Sequence, residues 1–374
     1  MTARFVPGLE LARDFYGTVV RPLLQEEFPR LEHAAALIGP GSDVAGYDTE
    51  RSTDHDWGPR LQVFLAGGDG NTGTSTSTSN GGGAGRRAAR VTAMLADRLP
   101  AAFRGYPVRF PVTREPDGVA RHRVEVAALG AWLTGLLGFD PRAGVTLRDW
   151  LATPTQRFAE LTAGEVFHDG PGELSRAREN AAWYPDDVWR YVLACQWRRV
   201  DQEEPFPGRC AEVGDDLGSR VVTARLARDL MRLYLLMHRQ YPPYSKWLGT
   251  AFARLPGGAG LAACLTAAIA ADGNQARERH LTEAMEAIAA LHNRLGLTPP
   301  LDPRARRFFD RPYQVIGAGR FTAALRETIT DPRVRHLPLA SAVDQFTDST
   351  DAAGDPGFLR ACVDRSSASR PPGS

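Results

Sequence analysis

The first part of the chain combines one helical hydrophobic pattern with several strand-like ones. Between Phe5 and Phe28, apolar residues recur at the three- and four-residue spacing of an amphipathic helix. Four runs typical of β-strands follow at residues 33–39, 60–65, 106–112 and 122–129. These patterns predict a mixed sheet with flanking helices. The predicted buried face of the first helix comprises Leu9, Leu11, Phe15, Val19, Leu23 and Leu24.

After about residue 145 the hydrophobic pattern becomes helical. Three stretches keep apolar residues at helical spacing, at residues 185–203, 214–241 and 274–296. Pro and two acids open the first, Pro242-Pro243 ends the second and Gly296 closes the third. We therefore predict an α+β fold, with a sheet domain at residues 1–145 and a helical-bundle domain at residues 146–345.

Two segments are predicted to lack regular structure. Residues 66–85 are rich in Gly, Ser and Thr, so they cannot bury enough apolar surface to fold, and we expect a disordered surface loop. Residues 346–374 end in a Ser/Pro-rich stretch and are expected to form a mobile tail.

Composition narrows the function classes without selecting one. The formal net charge is +1, which argues weakly against a long nucleic acid as partner. Four scattered cysteines without a CxxC pair predict neither a disulfide framework nor a structural zinc site. The N-terminus lacks the apolar core of a signal peptide, and no run of about 18 apolar residues follows. We therefore expect a cytoplasmic protein without a membrane partner.

One basic residue stands out. Lysine and arginine number 45 together, yet Lys246 is the only lysine. A lysine that persists against this bias is either a chance surface residue or a position that needs a compact ammonium, which arginine cannot imitate.

The candidate chemistry begins in "GPGSDVAGYDTERSTDHDWGPRLQVF", residues 39–64. Gly41-Ser42 offers backbone N–H groups and a hydroxyl where a phosphate could rest. Asp54 and Asp56 flank His55, and alternation along an extended chain would point both carboxylates to one side. Such a pair favours a divalent cation with a preference for oxygen ligands, Mg²⁺ or Mn²⁺. The alternative is a polar loop in which the aspartates cap a turn.

A third carboxylate could belong to this group. Glu125 lies between Val124 and Val126 in a predicted strand, where a charge is costly unless it has a partner or faces water at a sheet edge. Gly-Ser, the spacer, Asp-x-Asp and a later acidic strand together resemble the DNA polymerase β-like nucleotidyltransferase superfamily. More specifically, the chain resembles a bacterial family within it that carries a domain of unknown function. That second resemblance extends through "FVPGLELARDFY", "YPDDVWRYVLACQWRRVDQEEPF" and "YPPYSKWLGTAF".

The resemblance implies a reaction and roles for these residues. Asp54, Asp56 and Glu125 would converge to hold Mg²⁺ or Mn²⁺, and Gly41 and Ser42 would bind the β- and γ-phosphates of ATP or another nucleoside triphosphate. An acceptor oxygen would attack the α-phosphorus, and pyrophosphate would leave. Two departures from the usual motif are His55, in place of an apolar residue, and Trp57-Gly58-Pro59, which interrupts the following strand.

The helical domain of related nucleotidyltransferases supplies Lys, Ser or Tyr groups to the nucleotide. Tyr244, Ser245 and Lys246 follow the rigid Pro242-Pro243 pair and resemble that contribution. Arg220 is equally compatible with phosphate binding and with a local salt bridge.

The sequence therefore predicts transfer of a nucleoside monophosphate, most simply AMP from ATP, to a small molecule. Three alternatives stay open. They are adenylyl transfer to a protein or a tRNA end, a catalytically degenerate nucleotide-binding regulator, and a phosphoryl-transfer or lyase reaction at the same metal site.

Overall fold

The computed structural model describes residues 5–66, 83–111, 119–347 and 349–368. Most of the Gly/Ser/Thr loop predicted at residues 66–85 lies outside these ranges. The described strands are β1 (His33–Leu37), β2 (Arg60–Leu65), β3 (Ala102–Phe103), β4 (Tyr106–Pro107), β5 (Arg109–Phe110), β6 (Arg121–Ala128), β7 (Glu165–Asp169), β8 (Arg306–Arg307) and β9 (Gln314–Val315).

Helices account for most of the remaining regular structure. The described α-helices are α1 (Gly8–Phe15), α2 (Arg21–Glu27), α3 (Gly83–Arg98), α4 (Leu129–Leu137), α5 (Leu147–Ala152), α6 (Thr155–Thr162), α7 (Glu173–Asn180), α8 (Asp186–Glu203), α9 (Phe206–Glu212), α10 (Asp216–Met237), α11 (Ser245–Ala253), α12 (Gly258–Ala270), α13 (Asn274–Arg294), α14 (Gly319–Thr328), α15 (Pro332–Arg335), α16 (Thr350–Ala353) and α17 (Pro356–Ala368). The combination of a mixed sheet with many helices confirms the predicted α+β class.

The chain divides into two compact units. The first contains the described residues up to Val145 together with Arg157–Ala182, and the second contains Thr146–Gln156 and the described residues from Trp183 onwards. The return of Arg157–Ala182 to the first unit was not predicted. Its cause is tertiary, because β7 in this segment pairs with β1, more than 120 residues earlier in the chain.

A five-stranded sheet organises the first unit, in the order β5-β6-β2-β1-β7. β2 runs parallel to β6 and antiparallel to β1. Alternate side chains of β2 face opposite sides of the sheet. Leu61, Val63 and Leu65 are buried in a hydrophobic cluster with helical residues such as Phe15 and Leu95. Arg60, Gln62 and Phe64 therefore face the other side of the sheet.

The N-terminal helix is confirmed, with one irregularity. A π-helical turn, Tyr16–Val20, connects α1 to α2, and a π turn widens the helix and shifts the residues that follow. Val20 is consequently fully buried, whereas the predicted Val19 packs only partly against the same cluster.

The strand predicted at residues 106–112 is wrong in extent. Its described part is divided between β4, which pairs with β3, and β5, which pairs with β6. Pro107 explains the division in part, because proline has no N–H to continue a ladder.

The three long helices predicted for the helical region are confirmed as α8, α10 and α13. Their core contains Trp197 of α8, whose ring stacks on Phe321 of α14 with centroids 4.4 Å apart. His292 of α13 is fully buried beside both rings.

Two acidic side chains from the end of α8 bind the segment that leads into α14. The Glu204 carboxylate accepts hydrogen bonds from the backbone N–H groups of Ile316, Gly317 and Ala318 at 2.7–3.1 Å. Asp201 accepts one from Gly319 at 2.9 Å. These acids therefore satisfy backbone amide groups at the start of α14 and just before it. Burial raises the pKa of Glu204 to about 7, although the three hydrogen bonds favour its charged form.

The C-terminal residues depart from the expected mobile tail. Pro356–Ala368 form α17, and Leu359 is fully buried. Arg360 of this helix donates a 2.6 Å hydrogen bond to Asp149 of α5, another element of the second unit. Tertiary contacts therefore order a segment whose composition alone indicated a loose end.

Buried His292 leads to a pH-dependent prediction. Trp197 donates to His292 Nδ1, while His292 Nε2 faces the Thr298 hydroxyl, which itself donates to a carbonyl. Nδ1 therefore acts as an acceptor, and a second proton would face the indole N–H. Burial lowers the pKa of His292 to about 4. Between that value and the ordinary pKa near 6.5, the unfolded chain binds a proton that the folded chain does not.

We expect the free energy of unfolding to fall by about 2 kcal/mol between pH 7 and pH 5 through His292 alone. Urea unfolding at both pH values measures this difference. His292→Gln should show a pH dependence smaller by that amount. The variant of an exposed histidine in the same unit, His336→Gln, should keep the wild-type pH dependence. Equal pH dependence in His292→Gln and wild type would contradict the assignment.

Candidate functional site

The acidic segment before β2 is not an extended strand. Glu50–Asp54 form a 3₁₀ helix that starts with a capping box between Thr49 and Ser52. Asp54 ends this turn, and its carboxylate lies 2.6 Å from His55 Nδ1, with both side chains 62% exposed. The expected alternation therefore fails for Asp54, because the Ser/Thr-rich sequence offers local side-chain caps that compete with strand formation.

Asp56 occupies a second irregular position. Its φ of 52° is in the left-handed region, which aspartate tolerates better than most residues. Trp57 is buried after it, and the indole N–H donates a 3.0 Å hydrogen bond to Asp48. Gly58 packs against the Phe110 ring so closely that an added Cβ would lie 2.9 Å from it. The interruption predicted at Trp57-Gly58-Pro59 therefore exists, and β2 starts only at Arg60.

Arg60 connects this segment with the Gly41-Ser42 turn. Its Nε and Nη2 donate to the two carboxylate oxygens of Asp43 at 2.9 and 2.6 Å, and Nη2 also donates to the Pro40 carbonyl at 3.2 Å. A Cβ on Gly41 would lie 2.2 Å from Arg60 Nη2. Gly41 and Ser42 thus form a tight turn beside a guanidinium group.

Glu125 lies on the strand next to β2. Its register partner is Gln62, two residues after Arg60, and the two strands are parallel. The residue as a whole is exposed, yet its surroundings desolvate the carboxylate and raise its pKa. A hydrogen bond with Trp132 and the charge of Arg60 act in the opposite direction.

The acidic side chains around Arg60 change its pKa. Burial by itself would lower the pKa of Arg60, but Asp43 raises it, and the charges of Asp56 and Glu125 contribute to the rise. Two of the three predicted carboxylates therefore act on one arginine, at the side of the sheet where the Gly41 turn lies.

The predicted metal ligands are of the type that Mg²⁺ prefers, but they are not assembled into one close cluster. Carboxylate oxygens are its preferred donors. In the described parts of the chain, however, Asp54, Asp56 and Glu125 are not gathered as a group whose ligand atoms all lie within 4.8 Å of one another. The expected convergence of the three is absent, since Asp54 ends an exposed turn and Asp56 follows it in a left-handed conformation.

The remaining predicted residues belong to the second unit. Ser245 begins α11, Tyr244 precedes it, and the Tyr244 N–H donates to the Gln156 side chain at 2.7 Å. Tyr244, Ser245 and Lys246 are all exposed. The Lys246 ammonium lies 5.1 Å from the centroid of the adjacent Trp247 ring.

A cavity of about 370 Å³ adjoins this segment. Tyr244 and Ser245 line it, and Lys246 does not. Arg232 on its wall pairs with Asp344 at 2.7 Å, and Asp344 also accepts a hydrogen bond from the Thr155 N–H. The complete lining consists of Pro154, Thr155, Gln156, Arg228, Arg232, Pro242, Pro243, Tyr244, Ser245, Leu248, Asp344, Thr347, Ser349 and Ala353.

Arg220 does not line this cavity. It forms ion pairs with Asp216 at 2.7 Å and Asp272 at 3.3 Å, so the salt-bridge interpretation is the one that the structure favours. Arg220 precedes Arg232 by twelve residues of α10, or about 18 Å along the axis. Arg228 and Arg232 were not among the predicted residues, although their four-residue spacing on a predicted helix was a usable signal.

The protein has an α+β fold and two groups of candidate polar residues, one in each unit. Residues 150–248 match the profile of the family described as "Domain of unknown function (DUF4037)". The matched stretch contains Arg220 and Tyr244–Lys246, and it does not contain the acidic segment or Glu125. A search of curated proteins finds no match. No helix in the described ranges is long and apolar enough to cross a membrane.

The turn at Gly41 leads to a structural prediction. Gly41→Ala places a methyl group 2.2 Å from Arg60 Nη2 and 2.3 Å from Asp43 Oδ1, at a φ of +153°. We expect a loss of about 3 kcal/mol in the free energy of unfolding, because the buried ion pair must separate. Chemical denaturation measures the loss.

Gly46→Ala is the matched control. Gly46 also has a positive φ, of +67°, but nothing lies within 4 Å of an added Cβ. This variant isolates backbone strain, and we expect a loss of about 1 kcal/mol. Equal losses in the two variants would show that contact with the ion pair does not matter.

Proposed function

We propose that the protein is a Mg²⁺-dependent nucleotidyltransferase that transfers a nucleoside monophosphate, in the first instance AMP from ATP, to a hydroxyl or similar group of a small molecule. The single observation that supports this most is the position of Glu125. The superfamily that the sequence resembles carries a third carboxylate on a later, adjacent strand, and β6 with Glu125 lies directly beside β2. The cytoplasm stays the expected compartment.

In this proposal the residues of the first unit have different roles in phosphate binding, metal binding and acceptor binding. The turn at Gly41 and Ser42 offers backbone N–H groups and a hydroxyl to a phosphate group. The Arg60 guanidinium beside the turn is already paired with Asp43, so it fixes the turn and is not assigned to the phosphate. Asp54, Asp56 and Glu125 are the residues that would hold Mg²⁺, which when bound neutralises charge on the triphosphate. By the resemblance, Glu125 would lie nearest the acceptor hydroxyl, whose proton passes to solvent as the oxygen attacks. The acceptor oxygen then bonds to the α-phosphorus, and pyrophosphate leaves.

Of the residues assigned to the nucleotide in the second unit, we retain Tyr244, Ser245 and Lys246. Tyr244 and Ser245 line the cavity. We no longer assign Arg220 to the nucleotide, because Asp216 and Asp272 already bind its guanidinium.

One observation favours a second candidate, a nucleotide-binding regulator without catalysis. Asp54, Asp56 and Glu125 are not gathered within 4.8 Å in the described structure. Instead, Asp56 and Glu125 both act on Arg60, a fixed cation. A regulator would bind a nucleoside triphosphate without releasing pyrophosphate.

The proposal predicts metal-dependent nucleotide binding. Calorimetry with a panel of nucleoside triphosphates should show binding in the presence of Mg²⁺ and at least about tenfold weaker binding without it. Asp56→Asn and Glu125→Gln should weaken the Mg²⁺-dependent binding, because each removes a negative charge. Asp97→Asn, at an exposed position on α3, is the control and should bind like wild type.

Turnover distinguishes the two candidates. Pyrophosphate release from ATP is measured with a panel of small hydroxyl compounds, and protein and tRNA acceptors serve as further arms. Binding that produces no pyrophosphate with any of these acceptors would support the regulator. If no triphosphate binds in a metal-dependent way, the nucleotidyltransferase proposal fails.

Lys246 has a test of its own. Lys246→Arg keeps the charge but replaces a compact ammonium by a planar guanidinium. We expect triphosphate affinity to fall by about tenfold, or about 1.4 kcal/mol. Arg254→Lys, the reverse exchange at the other end of α11, should leave affinity unchanged. Wild-type affinity in Lys246→Arg would remove the argument from its being the only lysine.

A further inference from the structure

A second group of metal-ligating side chains lies in the helical unit, apart from the carboxylates discussed above. α12 contributes Cys264, and α13 contributes His280 and Glu283. Residues three apart lie on the same face of a helix, so the imidazole and the carboxylate face the same neighbour. The neighbour is α12, from which the Cys264 thiol donates a 3.0 Å hydrogen bond to the His280 carbonyl.

The three side chains are already close together. One ligand atom of each, the Cys264 sulfur, a His280 ring nitrogen and a Glu283 carboxylate oxygen, lies within 4.8 Å of the other two. Bonds of about 2.0–2.3 Å to a tetrahedral metal ion would separate the ligand atoms by about 3.3–3.8 Å. A shift on the order of 1 Å in side chains would therefore complete the geometry.

The donor set selects the class of metal. A thiolate and an imidazole are ligands of Zn²⁺ and of similar transition metals, whereas Mg²⁺ prefers oxygen. One thiolate and one carboxylate balance the two positive charges of Zn²⁺. Three protein ligands leave a fourth position for water, and the Glu283 side chain is 70% exposed.

The Cys264 thiol carries a proton that it donates to the His280 carbonyl. A metal ion displaces that proton from the sulfur. Its positive charge then attracts both the Cys264 thiolate and the Glu283 carboxylate.

We propose that Cys264, His280 and Glu283 form a Zn²⁺ site that fastens α12 to α13. Residues 271–273 connect the two helices, and a metal bound to both restricts their separation. Binding to the folded chain alone stabilises it. The site is independent of nucleotidyl transfer, and its test does not use that activity.

The experiment is a titration of the chelator-treated full-length chain with Co²⁺ and with Zn²⁺. We expect saturable binding of one Co²⁺ with a thiolate-to-metal charge-transfer band, and competition by Zn²⁺. Cys264→Ser should lose the band and bind at least about tenfold more weakly, since even outer partners of metal ligands are worth that factor. His280→Gln should also weaken binding. Cys210→Ser, which changes another half-buried thiol of the same unit, should behave like wild type.

A thermal measurement keeps folding separate from binding. Zn²⁺ should raise the melting temperature of wild type and Cys210→Ser, and it should raise that of Cys264→Ser by less. Circular dichroism of the metal-free variants establishes that they are folded, and Cys264→Ala replaces Cys264→Ser if the latter is not. Wild-type metal affinity in the folded Cys264 variant, or a Co²⁺ complex without the thiolate band, would overturn the proposal.

Discussion

The ion pair between Asp43 and Arg60 is the interaction on which the first unit's candidate site depends. The Asp43 side chain is 3% exposed, so its charge is costly without a partner. Arg60 supplies that partner through two hydrogen bonds and also binds the Pro40 carbonyl. Removing one member of such a buried pair typically costs about 3–5 kcal/mol. The pair thus fixes the turn at Gly41 against the first residue of β2.

The same arginine determines the electrostatics around the acids. Asp56 precedes Arg60 in the chain and Glu125 lies on the neighbouring strand, yet both act on its guanidinium. A fixed cation reduces the repulsion between two carboxylates. Catalysis and nucleotide binding without catalysis are both compatible with this arrangement, and they differ in the role of Glu125.

Buried polar groups play a comparable part in the second unit. Glu204 joins the end of α8 to the segment before α14 through three backbone N–H groups. Asp344 joins Arg232 of α10 to Thr155. His292 accepts a hydrogen bond from Trp197 within the aromatic core. In each case a polar side chain connects elements that are distant in the chain, because a buried polar atom needs a partner wherever one is available.

The sequence by itself determined the N-terminal helix, the three long helices of the second unit and three strands of the main sheet. Residues 60–65 form β2 as predicted, and α8, α10 and α13 occupy the predicted stretches, because hydrophobic periodicity records which face of each element is buried. Only the tertiary structure decided which polar groups meet. It paired Arg60 with Asp43, bound Arg220 to Asp272 and brought Cys264 to His280. The physical reason is the distance along the chain over which each signal acts. Hydrophobic periodicity depends on neighbouring residues, whereas the partner of a charged or metal-ligating side chain depends on how distant segments pack.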